Sequence, residues 1–289
     1  MLSLETLRGA LPHTLQTYEV ADGSFPVEVV KARLQLPETQ APEPEHVVVL
    51  ANGWCENSDV LSMMVREYLR TGWEKQAPTT VVSYTADRYT QADQDETLAK
   101  VIRSLPSDQT VELDPHSRGG VTSVHVATAL AGEGRIGAMK IIESCGYSEQ
   151  DLTLDAMVGT VLSELHSLEN WYRPRSLAAA CALGRNIVQH TIRHPRAAHR
   201  EIAELIDIDV TEQTVALAQT MPVVVVNGMS DHICPGQPSQ LSLLRAGFPP
   251  QNLKAFNIGH IDPLVAPHHA HTIATIPLPR PEAETTAIA

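Results

Sequence analysis

Aromatic residues are scarce: phenylalanine, tyrosine and tryptophan together make up 4% of the 289 residues. Any core must therefore be built from aliphatic side chains. Positive charge is scarce as well. Lysine and arginine number 21 against 34 aspartates and glutamates, a formal net charge of -13. A chain this acidic, with no long basic run, repels phosphate backbones, which disfavours a nucleic-acid partner. The four cysteines, Cys55, Cys145, Cys181 and Cys234, lie far apart and form no CxxC pair. That argues against a disulfide framework and for separate buried thiols in a reducing compartment. No apolar run reaches the roughly 20 residues of a membrane-spanning helix. The first twenty residues lack a basic segment followed by an apolar stretch, so no secretory signal is expected. The expected setting is cytoplasmic.

What remains is 43% apolar and 19% charged, a balance suited to a packed globular chain. Two β-like segments, His13–Val20 and Val27–Leu36, flank Asp22-Gly23 and read as a hairpin. The stretches HVVVLANG, TTVVSYT, TVELD, MKIIES, PVVVVNG and LKAFNI read as further strands. Several are apolar on both faces, as buried parallel strands require. Helical spacing lies between them. One helix is expected from Asn57 or Ser58 through Arg70, stopped by Gly72, and others over Ala92–Leu105 and Gly119–Leu130. Alternation of strand and helix implies a mostly parallel sheet flanked by helices.

One region breaks the alternation. Between MKIIES and PVVVVNG no strand is evident. Leu154, Met157, Val158, Val161, Leu162, Leu165 and Leu168 follow helical spacing, and Leu177–Ile192 and Arg196–Ile206 read as helices. Residues 152–207 are therefore read as a helical cap inserted into a core formed by 1–151 and 208–270. The tail, 271–289, carries three prolines and no periodicity, and is expected to be flexible.

Chemistry concentrates at three turns. Pro115-His116-Ser117-Arg118-Gly119-Gly120 follows a strand and precedes a helix. A sharp turn there exposes the Ser117 hydroxyl and aims the N-terminus of the new helix at a reacting centre. Asp231 follows PVVVVNG in PVVVVNGMSDHICP, and His260 follows the last strand in LKAFNIGHIDPLVAP. Taken singly, each has a plainer role: a capping serine, a turn aspartate, a packing histidine.

Together, in this order, they resemble the α/β-hydrolase superfamily, whose chain order is serine, acid, histidine and whose nucleophile turn usually reads G-x-S-x-G. Here Pro115 replaces the first glycine. The resemblance spans roughly residues 13–270. It implies an α/β-hydrolase fold with a cap, and a triad of Ser117, His260 and Asp231. It also implies oxyanion donors from the backbone of Arg118 and Trp54, the latter in the turn Asn52-Gly53-Trp54 where relatives often carry His-Gly. Gly53 and Trp54 are the expected substrate-side residues, although Trp54 could equally be a core residue and Arg118 a solvated one. Asp262 and Glu143 are rival acids. Serine at the nucleophile position argues against haloalkane dehalogenases and epoxide hydrolases, which use aspartate there.

The implied activity is hydrolysis of a small-molecule carboxylic ester or related acyl bond, with no cofactor, and the aliphatic cap implies a medium-sized, partly apolar substrate. The alternatives are a catalytically silent binding protein of the same fold, a cofactor-free haloperoxidase and a carbon–carbon bond hydrolase. The partner is a small molecule, and the sequence neither requires nor forbids a homodimer. His268, His269 and His271 lack carboxylate partners at ligand spacing, and no metal is assigned.

Overall fold

The computed structural model describes residues 12–20, 26–36, 45–54, 56, 60–85, 90–147 and 174–279, with side chains of the last segment described from residue 181. Eight strands form one sheet: β1 (His13–Val20), β2 (Val27–Leu34), β3 (His46–Val49), β4 (Thr79–Thr85), β5 (Val111–Leu113), β6 (Ile136–Ile142), β7 (Val223–Gly228) and β8 (Leu253–Phe256). Their spatial order is β1-β2-β4-β3-β5-β6-β7-β8. β1 and β2 pair antiparallel, with His13 opposite Leu34 and Val20 opposite Val27. β2 also runs antiparallel to β4. From β4 to β8 every pairing is parallel. The Asp22-Gly23 turn lies outside the described residues.

The helices are α1 (Ser62–Lys75), α2 (Gln91–Ser104), α3 (Arg118–Ala129), α4 (Pro174–Arg193), α5 (Pro195–Asp207), α6 (Thr211–Thr220), α7 (Gly236–Arg245), α8 (Asp262–Val265) and α9 (Pro267–Thr275). Helix α2 starts where Thr90 and Asp93 form a reciprocal capping box. The sheet has an aliphatic core on each face. Along β7, Val224 and Val226 join one cluster while Val223 and Val225 join the other. The all-valine run is therefore what a doubly covered strand needs, each side chain contributing roughly 1.5–3 kcal/mol on burial.

The structure corrects four expectations. Helix α1 does not stop at Gly72. It runs to Lys75, and Gln76 closes it in the left-handed region at φ 54°. Gly72 instead permits close helix–strand approach, since a Cβ there would lie 2.3 Å from Thr79 Oγ1. The tail does not become irregular at His271, because α9 continues to Thr275. Its Ala270, Ile273 and Ala274 are buried, and the helix packs on α1. The cysteines are not four separate buried thiols. Cys145 and Cys234, 89 residues apart, form a disulfide, and Cys181 is exposed. Parallel pairing of β6 with β7 brings their C-terminal ends side by side, which no local pattern announces. Finally, Arg118 is buried rather than solvated, at 3% exposure. Of the expected cap, 152–173 lie outside the described residues, as does Cys55, while 174–207 form α4 and α5.

Candidate active site

β3, β5, β6 and β7 all end at the same edge of the sheet, so the loops that follow them converge there. At the end of β5 the chain turns sharply into α3. Ser117 sits at the turn with φ 55° and ψ -126°, a conformation that costs a non-glycine residue about 1–3 kcal/mol. Neighbouring backbone over-determines it. The His116 N–H donates to Ala51 O at 3.2 Å, the Ser117 N–H to Ile142 O at 3.0 Å, and the Gly120 N–H to Ser117 O at 3.0 Å. Gly119 is required by contact: a Cβ there would fall 2.3 Å from Ala51 O. Pro115 gives up an N–H but not the pairing, since its carbonyl accepts the Ile142 N–H at 2.9 Å. A proline thus fits the end of this strand.

The three residues singled out by sequence meet here. His260 Nε2 lies 2.8 Å from Ser117 Oγ, and His260 Nδ1 lies 2.8 Å from Asp231 Oδ2. All three are buried. The other Asp231 oxygen accepts the N–H groups of Ile233 and Cys234, each at 2.8 Å. The disulfide to Cys145 therefore anchors the loop that orients this carboxylate.

The rival acids are occupied elsewhere. Asp262 accepts the Gly259 N–H at 2.8 Å and closes the turn before α8. Glu143, at φ 46°, packs over Gly228, where a Cβ would meet its Oε1 at 2.3 Å, and its Oε2 lies 3.5 Å from His116 Nε2.

Sequence reading missed His116. Its Nδ1 faces Glu56 Oε1 at 2.6 Å and its Nε2 faces the backbone carbonyl of His260 at 2.8 Å. Both partners are acceptors, so both ring nitrogens carry hydrogen. Burial alone would lower the His116 pKa. The carboxylates of Glu56 and Glu143 outweigh that and hold it well above the ordinary histidine value. The imidazolium ties the backbone of His260 to two carboxylates beneath the turn. Its place beside Ser117 was the one available signal, because Glu56 shows no periodicity that would reveal the pairing.

The turn after β3 closes the other side. Asn52 Nδ2 donates to Tyr84 O at 2.6 Å and to Glu56 O at 3.3 Å, pinning the loop to β4. Gly53 lets it approach the turn, since a Cβ would come 2.9 Å from Ser117 Cβ. Its N–H is engaged by Glu56 Oε2 at 2.7 Å. Trp54 follows. Its indole N–H donates to Glu201 Oε2 on α5 at 2.6 Å, and its ring borders the site. A narrow cavity of about 30 Å³ opens on Ser117 and His260, walled by Trp54, Leu183, Ile187, Ile233, Ile261 and Leu264. Its apolar wall draws on both the core and α4.

Two groups of three possible ligand atoms fall within 4.8 Å of one another: His116, Glu143 and His260, and Asp231, Cys234 and His260. Both share His260, whose nitrogens face Asp231 and Ser117, and the Cys234 sulfur is in the disulfide, so neither is assigned a metal. His268, His269 and His271 lie on α9. His271 faces Glu67 at 3.5 Å and Glu74 at 3.8 Å, while His269 lies 3.9 Å from Asp262. Among the described residues no helix is long and apolar enough to cross a membrane.

Comparison with known proteins places this architecture. A lipase-like protein from Acinetobacter baumannii superimposes with a TM-score of 0.59 at 15% identity, covering 93% of this chain and 92% of that one. A serine hydrolase involved in carbazole degradation gives a TM-score of 0.59 at 16% identity, covering 90% and 96%. A carboxylesterase from Bacillus subtilis gives 0.56 at 17% identity, covering 93% of each chain. No protein-family model and no curated protein matches the sequence. The chain has the α/β-hydrolase fold, with an eight-stranded, mostly parallel sheet and a helical insertion before β7. Its structural neighbours include esterases, lipases, other hydrolases and a bromoperoxidase from Bacillus anthracis, and at these identities the likeness is one of fold.

Proposed function

We propose that the protein is a serine hydrolase that cleaves a small carboxylic ester, or a related acyl bond, through an acyl-enzyme intermediate. One observation carries the reading: an unbroken line from Asp231 through His260 to Ser117, with both contacts at 2.8 Å, ending at a cavity. Ser117 Oγ attacks the acyl carbon as His260 Nε2 takes its proton. Asp231 holds the imidazole in the tautomer that leaves Nε2 free to accept, and stabilises the imidazolium that forms. The proton then passes to the departing alcohol. Water, deprotonated in turn by His260, cleaves the acyl-enzyme and restores Ser117. Arg118 and Trp54 supply backbone N–H donors to the oxyanion, worth roughly 10²–10³ in rate for each donor in comparable sites.

The aliphatic wall of the cavity favours an apolar acyl group. A His260 turned away from Ser117 would favour a silent binding protein, and the 2.8 Å contact weighs against that alternative. The test is a p-nitrophenyl ester series from acetate to decanoate, assayed with wild type and Ser117→Ala. Turnover of activated esters by the wild type, lost in Ser117→Ala, is the expected result. No turnover of any activated ester by the wild type would sink the reading.

A further inference from the structure

A single carboxylate on α5 reaches both residues assigned to the oxyanion site. Glu201 is 1% exposed. Its Oε2 accepts the Trp54 indole N–H at 2.6 Å and lies 3.4 Å from Arg118 Nη1. Its Oε1 lies 3.3 Å from His190 Nε2 on α4, and the His190 ring meets Trp54 edge-on, with centroids 6.0 Å apart. Arg118 is held further by Gln91 Oε1 at 3.3 Å and by Glu204 Oε2 at 3.8 Å. Glu204 Oε2 in turn accepts the Gln91 N–H at 3.0 Å.

We propose that Glu201 is a positioning residue, which aligns the Trp54 and Arg118 backbone donors from the helical insertion. The proposal rests on the serine-hydrolase reading. Trp54 follows β3 and Arg118 opens α3 after β5, so the two donors come from separate loops. Donors stabilise an oxyanion to the extent that they are fixed before charge develops. Glu201 fixes both through their side chains, outside the reacting atoms. A buried carboxylate is costly unless paired, and here Oε2 meets an indole N–H and a guanidinium while Oε1, among the described residues, faces only the His190 ring. The insertion thereby takes part in the geometry of the site as well as in its apolar wall.

The test uses Glu201→Gln, Glu201→Ala and Trp54→Phe in the full chain. Glutamine keeps an acceptor for the indole but removes the charge facing Arg118. Alanine removes both, and phenylalanine removes the indole N–H while leaving the Trp54 backbone donor. Expected is a graded fall in kcat, about 10-fold for Glu201→Gln and about 100-fold for Glu201→Ala, within the loss known for a missing oxyanion donor. KM should stay within about threefold, since the interaction acts in the transition state. Affinity for a short alkylboronic acid, which forms a tetrahedral anionic adduct on serine, should fall in parallel with kcat. In the Trp54→Phe background, Glu201→Ala should cost less than in wild type.

Wild-type kcat and boronate affinity in Glu201→Gln would overturn the proposal, as would a loss confined to KM or one that merely tracks a lowered Tm. If Glu201→Ala fails to fold, Glu201→Gln and Trp54→Phe decide. A wild type that neither hydrolyses esters nor binds the boronate overturns the serine-hydrolase reading and this inference with it. A wild type that does both, with an unaffected Glu201→Gln, overturns this inference alone.

Discussion

Two buried polar clusters lie near β5, and they contain similar chemistry. One is Ser117, His260 and Asp231. The other is Lys140, Glu112, Asp114 and Tyr68. Lys140 Nζ lies 2.9 Å from Glu112, 3.1 Å from Asp114 and 3.3 Å from Tyr68 Oη. The Tyr68 hydroxyl donates to Asp114, and His46 Nε2 lies 2.8 Å from Glu112. In this second cluster every cation faces carboxylates and the group borders no described cavity. In the first, the relay ends on a hydroxyl that faces open space. Perturbed titration alone does not separate them. Burial and the neighbouring Glu112 push Asp114 up to about 7. Burial would lower the Lys140 pKa, but Asp114 and Glu112 outweigh it and raise it. What marks the candidate active site is a hydroxyl, in contact with His260, that borders a cavity. The closed cluster is read as structural.

The comparison can be broken by mutation. The largest effect is expected from Ser117→Ala, with kcat/KM for a short ester lower by on the order of 10⁴–10⁶, as for other triad serines, and stability nearly unchanged. Asp231→Asn should retain the fold and lose about 10⁴ in kcat, because the imidazole adopts the wrong tautomer. Lys140→Ala should show the opposite pattern. Removing the cation strands two buried carboxylates and should cost about 3–5 kcal/mol in urea unfolding. The kcat per folded molecule should stay near wild type. A Lys140→Ala protein of normal stability, or one inactive though folded, would erase the distinction between the clusters.

The smallest effect concerns pH. The Asp114 pKa is raised in the folded state, so its contribution is present below the ordinary value near 4 and is lost as pH rises toward about 7. Glu112 works in the other direction. Burial would raise its pKa, but the Lys140 charge outweighs burial and lowers it. Its contribution is therefore present above the ordinary value and lost in strong acid. Stability owed to this cluster should peak near pH 4–5 and decline toward neutrality. Asp114→Asn should flatten that decline in urea midpoints measured from pH 4 to 8. An unchanged slope would contradict the assignment.

Much of the frame was legible in sequence because its signals are local. A valine run needs two covered faces, and a serine, an aspartate and a histidine each follow a strand at a turn. Gly119 could be read as a close-packing glycine from its place two residues after Ser117. Other features depend on pairs that no local window contains. Glu201 lies 147 positions from Trp54, and Cys145 lies 89 from Cys234. Those contacts follow from α5 meeting Trp54 and Arg118 in the fold and from the adjacency of β6 and β7. Helix α9 was hidden by its three histidines, which weaken an apolar stripe formed only by Ala270, Ile273 and Ala274. Arg118 looked solvated because its partners, Glu201, Glu204 and Gln91, arrive from distant helices.

The central claim is that the Ser117 hydroxyl is activated by His260 and Asp231. Its most direct test is treatment of the folded protein with a fluorophosphonate, followed by intact mass and peptide mapping. The expected result is one adduct per chain, located on Ser117, absent from Ser117→Ala and formed far more slowly in Asp231→Asn. No adduct on the folded wild type, or an adduct on another residue with Ser117 untouched, would contradict it.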